Sequence, residues 1–142
     1  MTPEAIFERL AVKRGVTLGG LASGRYDEFR VALAAAAVRV PAGAAHREKD
    51  INDILADFLA RAGAMLATDH VELRRWLVDN RLLSRDGFGR RYERAPTPET
   101  FASYIAAFDG VDLDRIAANA RAEESKARAA RRARHEALGA SC

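Results

Sequence analysis

The residues with the clearest chemistry are six arginines in one short stretch: Arg74, Arg75, Arg85, Arg90, Arg91 and Arg94. A guanidinium is permanently charged and forks onto phosphate oxygens, so such a cluster points to a nucleic-acid backbone. Residues 74–94 hold seven basic and three acidic side chains, whereas residues 46–73 hold three basic and six acidic ones. The formal net charge is only +3, so the distribution rather than the total favours a phosphate-bearing partner. The six are therefore the candidate nucleic-acid-binding residues. Bland alternatives compete with that reading. Arg74 and Arg75 are adjacent, so on a helix they cannot both point straight outward, and pairing with Asp53, Asp57 or Asp79 would occupy one of them. Glu72 and Asp79 on the same segment would repel phosphate. Arg90, Arg91 and Arg94 alternate faces on a strand, so they cannot all reach one ligand.

Other chemistry is poorly supported. His46, His70 and His135 lie far apart, and none has zinc-ligand spacing with another histidine or with Cys142. No phosphate-binding glycine loop, dinucleotide fingerprint or nucleophile elbow occurs. The expectation is a non-enzyme with no catalytic residues, metal or cofactor. A single cysteine leaves no disulfide within the chain, which fits a reducing cytoplasm. No apolar run reaches the length of a signal peptide or a membrane span, so a soluble cytoplasmic protein with no membrane partner is expected.

The elements that would position the arginines read as helix, short turn, helix and hairpin. Ile51, Ile54, Leu55, Phe58 and Leu59 recur at i, i+3, i+4, i+7 and i+8, one apolar helix face. Asp50 is a candidate cap for that helix, and Gly63 a candidate left-handed stop. Leu66 in the turn is a core plug. Asp69 caps a second helix with Glu72 placed to complete a capping box, and Leu73, Trp76 and Leu77 form its apolar face. Trp76 reads as core rather than a base-stacking platform. Leu82 and Leu83 then enter a strand, Asp86, Gly87 and Gly89 make the turn, and residues 91–94 return. The fold class expected is mainly α with a small β-hairpin, a winged helix-turn-helix-like core flanked by N- and C-terminal helices.

These segments resemble the bacterial domain-of-unknown-function family 2087, whose pattern maps onto Ile51, Asn52, Ile54, Leu55, Leu73, Arg74, Arg75, Leu77, Val78, Asp79, Leu82, Leu83, Arg85, Gly89 and Tyr92. Two positions depart from it. Ile51 replaces valine, and Arg81 stands where the family usually has glycine, which puts the geometry of that helix end in question. The resemblance implies little about function beyond an occasional association with DNA-binding regulator domains.

Outside this module, residues 1–45 read as an N-terminal helical segment: Thr2 caps a helix with Pro3 in its first turn, VTLGGLASGRY is a loop or short turns, and Tyr26 to Val38 is an alanine-rich helix holding Phe29 and Leu33. Arg39 and Val40 before Pro41 are expected to be extended, followed by a linker through residue 47. The winged-helix-like domain covers 46–95. Residues 96–142 are C-terminal helices: Phe101, Tyr104, Ile105 and Phe108 share a face, Asp112 caps the last helix, and from Arg121 onward a basic Ala/Arg-rich tail has almost nothing to bury. The function expected is a bacterial DNA-binding transcriptional regulator of winged-helix type. The alternatives are a non-catalytic protein-interaction winged helix and an RNA- or ribosome-associated binding protein. A homodimer would favour the first, since such regulators read paired half-sites.

Overall fold

In chain order the computed structural model contains α1 (Pro3–Ala11), α2 (Leu18–Ala22), α3 (Tyr26–Ala37), β1 (His46–Arg47), α4 (Glu48–Ala60), α5 (His70–Asp79), β2 (Leu83–Arg85), β3 (Arg91–Arg94), a 3-10 turn (Glu99–Phe101), α6 (Ala102–Phe108) and α7 (Leu113–Ala140). Residues 1–88 and 90–140 are described, the side chain of Ala140 excepted. The turn residue Gly89 and the lone Cys142 lie outside the described residues. The architecture is the expected one: mainly α, with a winged helix-turn-helix-like core flanked by N- and C-terminal helices.

The centre of the core is α3. From Val31 to Ala37 every side chain is buried, as a helix with no polar face requires. Its alanines let α1, α2, α5 and α6 approach closely. Phe29, at the edge of this core, meets the Trp76 ring edge-on with centroids 5.5 Å apart. Trp76 is half-buried there, packed against the core as its place on the apolar face implied.

Three local expectations need correction. Arg39 and Val40 are not extended: their amides donate to Ala36 and Ala37 carbonyls at 3.1 Å, so the chain continues turning off α3. The first strand lies later, inside the stretch read as a linker. His46 pairs with Tyr92 and Arg47 with Arg91, giving an antiparallel sheet in the order β1-β3-β2. A two-residue strand has no alternation of its own, and its pairing is dictated by the distant β3 edge. VTLGGLASGRY likewise contains α2, whose start is capped by the Thr17 hydroxyl accepting from the Gly20 amide.

The limits of α4 also differ from expectation. The helix begins at Glu48, so Asp50 sits inside the first turn and pairs with Arg47 at 3.4 Å instead of capping. There its charge still favours the positive helix end. Gly63 is not left-handed. A Cβ there would drive into the Phe58 ring, so glycine serves close packing beneath the turn. Leu66 is buried as a plug, and its neighbours Met65 and Ala67 make backbone bonds to Val16.

The ends of α5 follow from its sequence. The Asp69 carboxylate accepts from the Glu72 amide at 2.8 Å. The Glu72 side chain turns instead to the Trp76 indole N–H, at 3.4 Å, so only half of a capping box forms. At the other end Leu82 N–H donates to Leu77 O at 2.9 Å and Arg81 N–H to Val78 O at 3.0 Å. This is a Schellman motif, with Arg81 at φ 61° in the left-handed position that favours glycine. The residue that departs from the family pattern keeps the backbone geometry and bears its strain. Arg81→Gly is therefore expected to raise stability by about 1 kcal/mol, read as a higher midpoint in urea unfolding; an unchanged or lower midpoint would refute it.

The C-terminal helix α7 is capped by Asp112, which accepts from Arg115 N–H at 3.1 Å. It is fastened by Arg121, whose guanidinium donates to the carbonyls of Ala11, Arg61 and Ala62 at 2.9, 2.8 and 3.2 Å. One cation thus satisfies orphan carbonyls at the ends of α1 and α4, where the helix dipoles favour positive charge. Burial pushes the Arg121 pKa down, while nearby Asp114 opposes that shift. Arg121 is therefore an anchor, not part of a wholly solvated tail. Beyond Glu124 the helix is exposed. Among the described residues no helix is long and apolar enough to cross a membrane.

Candidate nucleic-acid interface

The six arginines separate by position. On β2 and β3 the pleat sends Leu83, Arg85, Tyr92 and Arg94 toward one face of the sheet and Ser84, Arg91 and Glu93 toward the other. Tyr92 is buried on the α5 side, so the first face looks at that helix.

Two of the six are used inside the protein. Arg74 is only 16% exposed and pairs with Glu48 at 2.9 Å. It also donates to the Asn52 side-chain oxygen and lies over the Tyr92 ring, 5.3 Å from its centroid. It ties α5 to α4 and β3, an internal partnership of the kind the sequence allowed, made with Glu48 rather than with Asp53, Asp57 or Asp79. Arg94 donates to the Val40 carbonyl at 3.3 Å, joining β3 to the end of α3.

The other four are exposed, and their guanidiniums have no hydrogen-bond or ion-pair partner among the described residues. Arg75, on α5, and Arg85, on β2, line one cleft of about 270 Å³ with Val71, Val78, Asp79, Tyr92 and the internally paired Arg74. Arg91 is on the outer face, directly across from Arg47 on β1. Like charges opposite one another destabilise a sheet slightly, and an anion shared between them would reverse that. Arg90 stands at the base of the hairpin tip. Asp79 sits in the same cleft and Glu72 is exposed on the same helix, so the surface is mixed, with positive charge in excess at the wing.

Two features of this surface escaped the sequence reading. Phe88, at the hairpin tip, is 85% exposed, and Val71 at the start of α5 is exposed as well. The signal for Phe88 was present in the GFG tripeptide, since an aromatic between glycines at a turn has no neighbour to cover it. The three histidines do not converge: His46 bonds to the Pro41 carbonyl at 3.1 Å, His70 opens α5, and His135 is exposed on α7. Among the described residues no three His, Cys, Asp or Glu side chains are grouped to hold a metal ion.

A helix ahead of a short strand, two further helices, and then a two-stranded wing closing a three-stranded sheet define a winged-helix-like module with a basic wing. Its sequence is equally specific: the chain belongs to the family described as "Uncharacterized protein conserved in bacteria (DUF2087)", whose pattern matches residues 23–94. That region takes in α3 as well as the strands and helices around the cleft. No curated protein and no solved structure matches the chain.

Proposed function

We propose that the chain is a non-catalytic, DNA-binding regulator, with the exposed face of α5 laid in the major groove and the wing on adjacent phosphates. The observation that carries this is the cleft between α5 and β2, which Arg75 and Arg85 both line, their guanidiniums without partners among the described residues. Guanidiniums left free in a shared concavity suit a polyanion better than isolated surface charges do. A helix flanked by a ribbon is also a recurrent docking shape for duplex DNA. Dimerisation would add a second half-site.

One observation favours a second reading. Val71, Val78 and Asp79 border the same cleft, and apolar and acidic groups beside arginine suit a protein partner of mixed charge. Salt dependence separates the two. Purified protein is mixed with genomic DNA fragments at low and at near-physiological salt, and bound fragments are sequenced. Recovery of a recurrent, two-fold symmetric site at the higher salt supports the regulator. Recovery at low salt alone, with no recurrent site, leaves general polyanion attraction and shifts weight to the protein-partner or RNA reading.

Point variants sharpen the result. Arg75→Ala and Arg85→Ala are each expected to weaken DNA binding and flatten the log–log salt dependence by about one phosphate contact. Arg74→Ala should instead lower stability and leave the slope in place, because its charge is spent on Glu48. Equal slopes for Arg75→Ala, Arg85→Ala and the parent would overturn the assignment of the cleft.

A further inference from the structure

We infer that Phe88 is an apolar wedge that enters the minor groove of duplex DNA and partly unstacks a base step. The inference rests on the DNA-binding reading and adds to it a residue, a groove and a distortion of the ligand.

The argument begins with exposure. A phenylalanine side chain left 85% exposed forgoes the burial that its hydrophobicity favours. The tip is also built to hold it outward. The Asp86 carboxylate accepts from the backbone amides of Phe88 at 3.1 Å and Arg90 at 2.9 Å, and the Asp86 amide donates to Arg91 O at 3.0 Å. Holding the Phe88 and Arg90 amides on one carboxylate reduces the conformational freedom that Phe88 has to lose on binding. The space beside the ring's neighbour is open as well, for a Cβ at Gly87 would meet no atom of the described residues within 4 Å.

Charge then selects the occupant. Below the ring, Arg85 is on one face of the ribbon and Arg91 on the other, with Arg90 between them in sequence. A protein pocket for an apolar tip has no general need of cations on both sides. The minor groove does: its walls are the two phosphate backbones, and between them lie stacked bases that an apolar side chain can part. An arginine on each face of the wing meets one wall each while the ring lies between base pairs. Pyrimidine–purine steps unstack most easily and are the expected place of entry.

The test uses the full chain and a duplex of about 20 base pairs with central TA steps, their adenines replaced by 2-aminopurine, which brightens when it unstacks. The parent protein should brighten the probe. Phe88→Ala should abolish that signal and weaken binding about tenfold, as expected for one lost base-stacking contact, with the salt slope unchanged because no ionic contact is removed. Phe88 is exposed and tip-bound, so the variant keeps its circular dichroism spectrum and melting temperature. Parent-level affinity and brightening in Phe88→Ala would overturn the wedge while leaving the DNA-binding reading intact. Absence of duplex binding by the parent protein would overturn both. Sedimentation with phosphatidylserine-containing vesicles is measured in parallel. Vesicle binding lost in Phe88→Ala, with duplex binding unaffected, would assign the tip to a lipid surface and overturn the wedge.

Discussion

Leu77→Ala is expected to lower the free energy of unfolding by about 3 to 4 kcal/mol, within the usual range for a buried leucine. Leu77 is fully buried on the inner face of α5. Its carbonyl also accepts the Leu82 amide that closes the helix. The elements around α5 are fixed by other means: α4 through the Arg74–Glu48 pair, α3 through the Phe29–Trp76 contact, and the sheet through its own ladder. A site held on several sides cannot collapse to fill the lost volume, so the cost lies above the low end of the range. Denaturant unfolding measures it directly, and a loss under about 1 kcal/mol would mean that Leu77 does not face a packed core. The substitution has a functional corollary. Arg75 and Arg85 share a cleft only while α5 and β2 keep their relative position, so under the proposed DNA-binding function affinity for duplex should fall although no arginine is touched.

Much of this arrangement was legible in the sequence because it is local. The apolar faces of α4 and α5, the Asp69 cap, the break at the end of α5 and the hairpin all depend on residues within a few positions of each other. The parts that were not legible depend on distant partners. β1 is a strand only because β3 offers it an unpaired edge, and nothing in His46–Arg47 announces that. Gly63 was read as a conformational glycine because glycine usually ends helices in that way. Its reason is instead the Phe58 ring, a contact that depends on how the turn folds back. In α3 the pattern drew attention to Phe29 and Leu33 within an alanine-rich helix, yet the unbroken run VALAAAA has no polar face at all, a readable sign of a segment buried on every side.

The candidate site shows the same division. The sequence located the basic segment and the alternation of the ribbon, and the fold then sorted its arginines. Arg74 and Arg75 are neighbours in the chain, but the helix turns one inward onto Glu48 and Asn52 and the other out into the cleft. No property of the dipeptide decides which, because the choice depends on α4 lying to one side. Arg94 had the same ambiguity. It reaches the Val40 carbonyl only because the chain after α3 turns toward β3. Residue type alone therefore overcounts the arginines available to a ligand, by those that the fold needs for itself.

The other large effect is expected at Arg39, which neither composition nor spacing marked. Its guanidinium donates to Asp114 at 2.8 Å and to Asp57 at 2.6 Å, and it is 20% exposed. It lies 6.0 Å from the Phe58 ring centroid. Asp114 also accepts the Ala62 amide at 3.0 Å, and Arg61 pairs with Asp57 at 3.1 Å. Four charged side chains thus join the ends of α3 and α4 to the start of α7. Arg39→Ala would leave two carboxylates sharing Arg61, which is mostly exposed and screened by water. Removing one partner from a buried network commonly costs 3–5 kcal/mol, so a loss of about 2 to 3 kcal/mol is expected after allowing for the exposure of Asp57. Arg39→Lys should recover only part of it, because a single ammonium lacks the planar fork that spans both acids. A double-mutant cycle with Asp114→Ala isolates the pair, with a coupling of about 1 kcal/mol or more expected. Additive losses would show that α7 is held by Arg121 and by Leu113 and Ala117 in the core, and that the Arg39 network contributes charge balance without docking the helix.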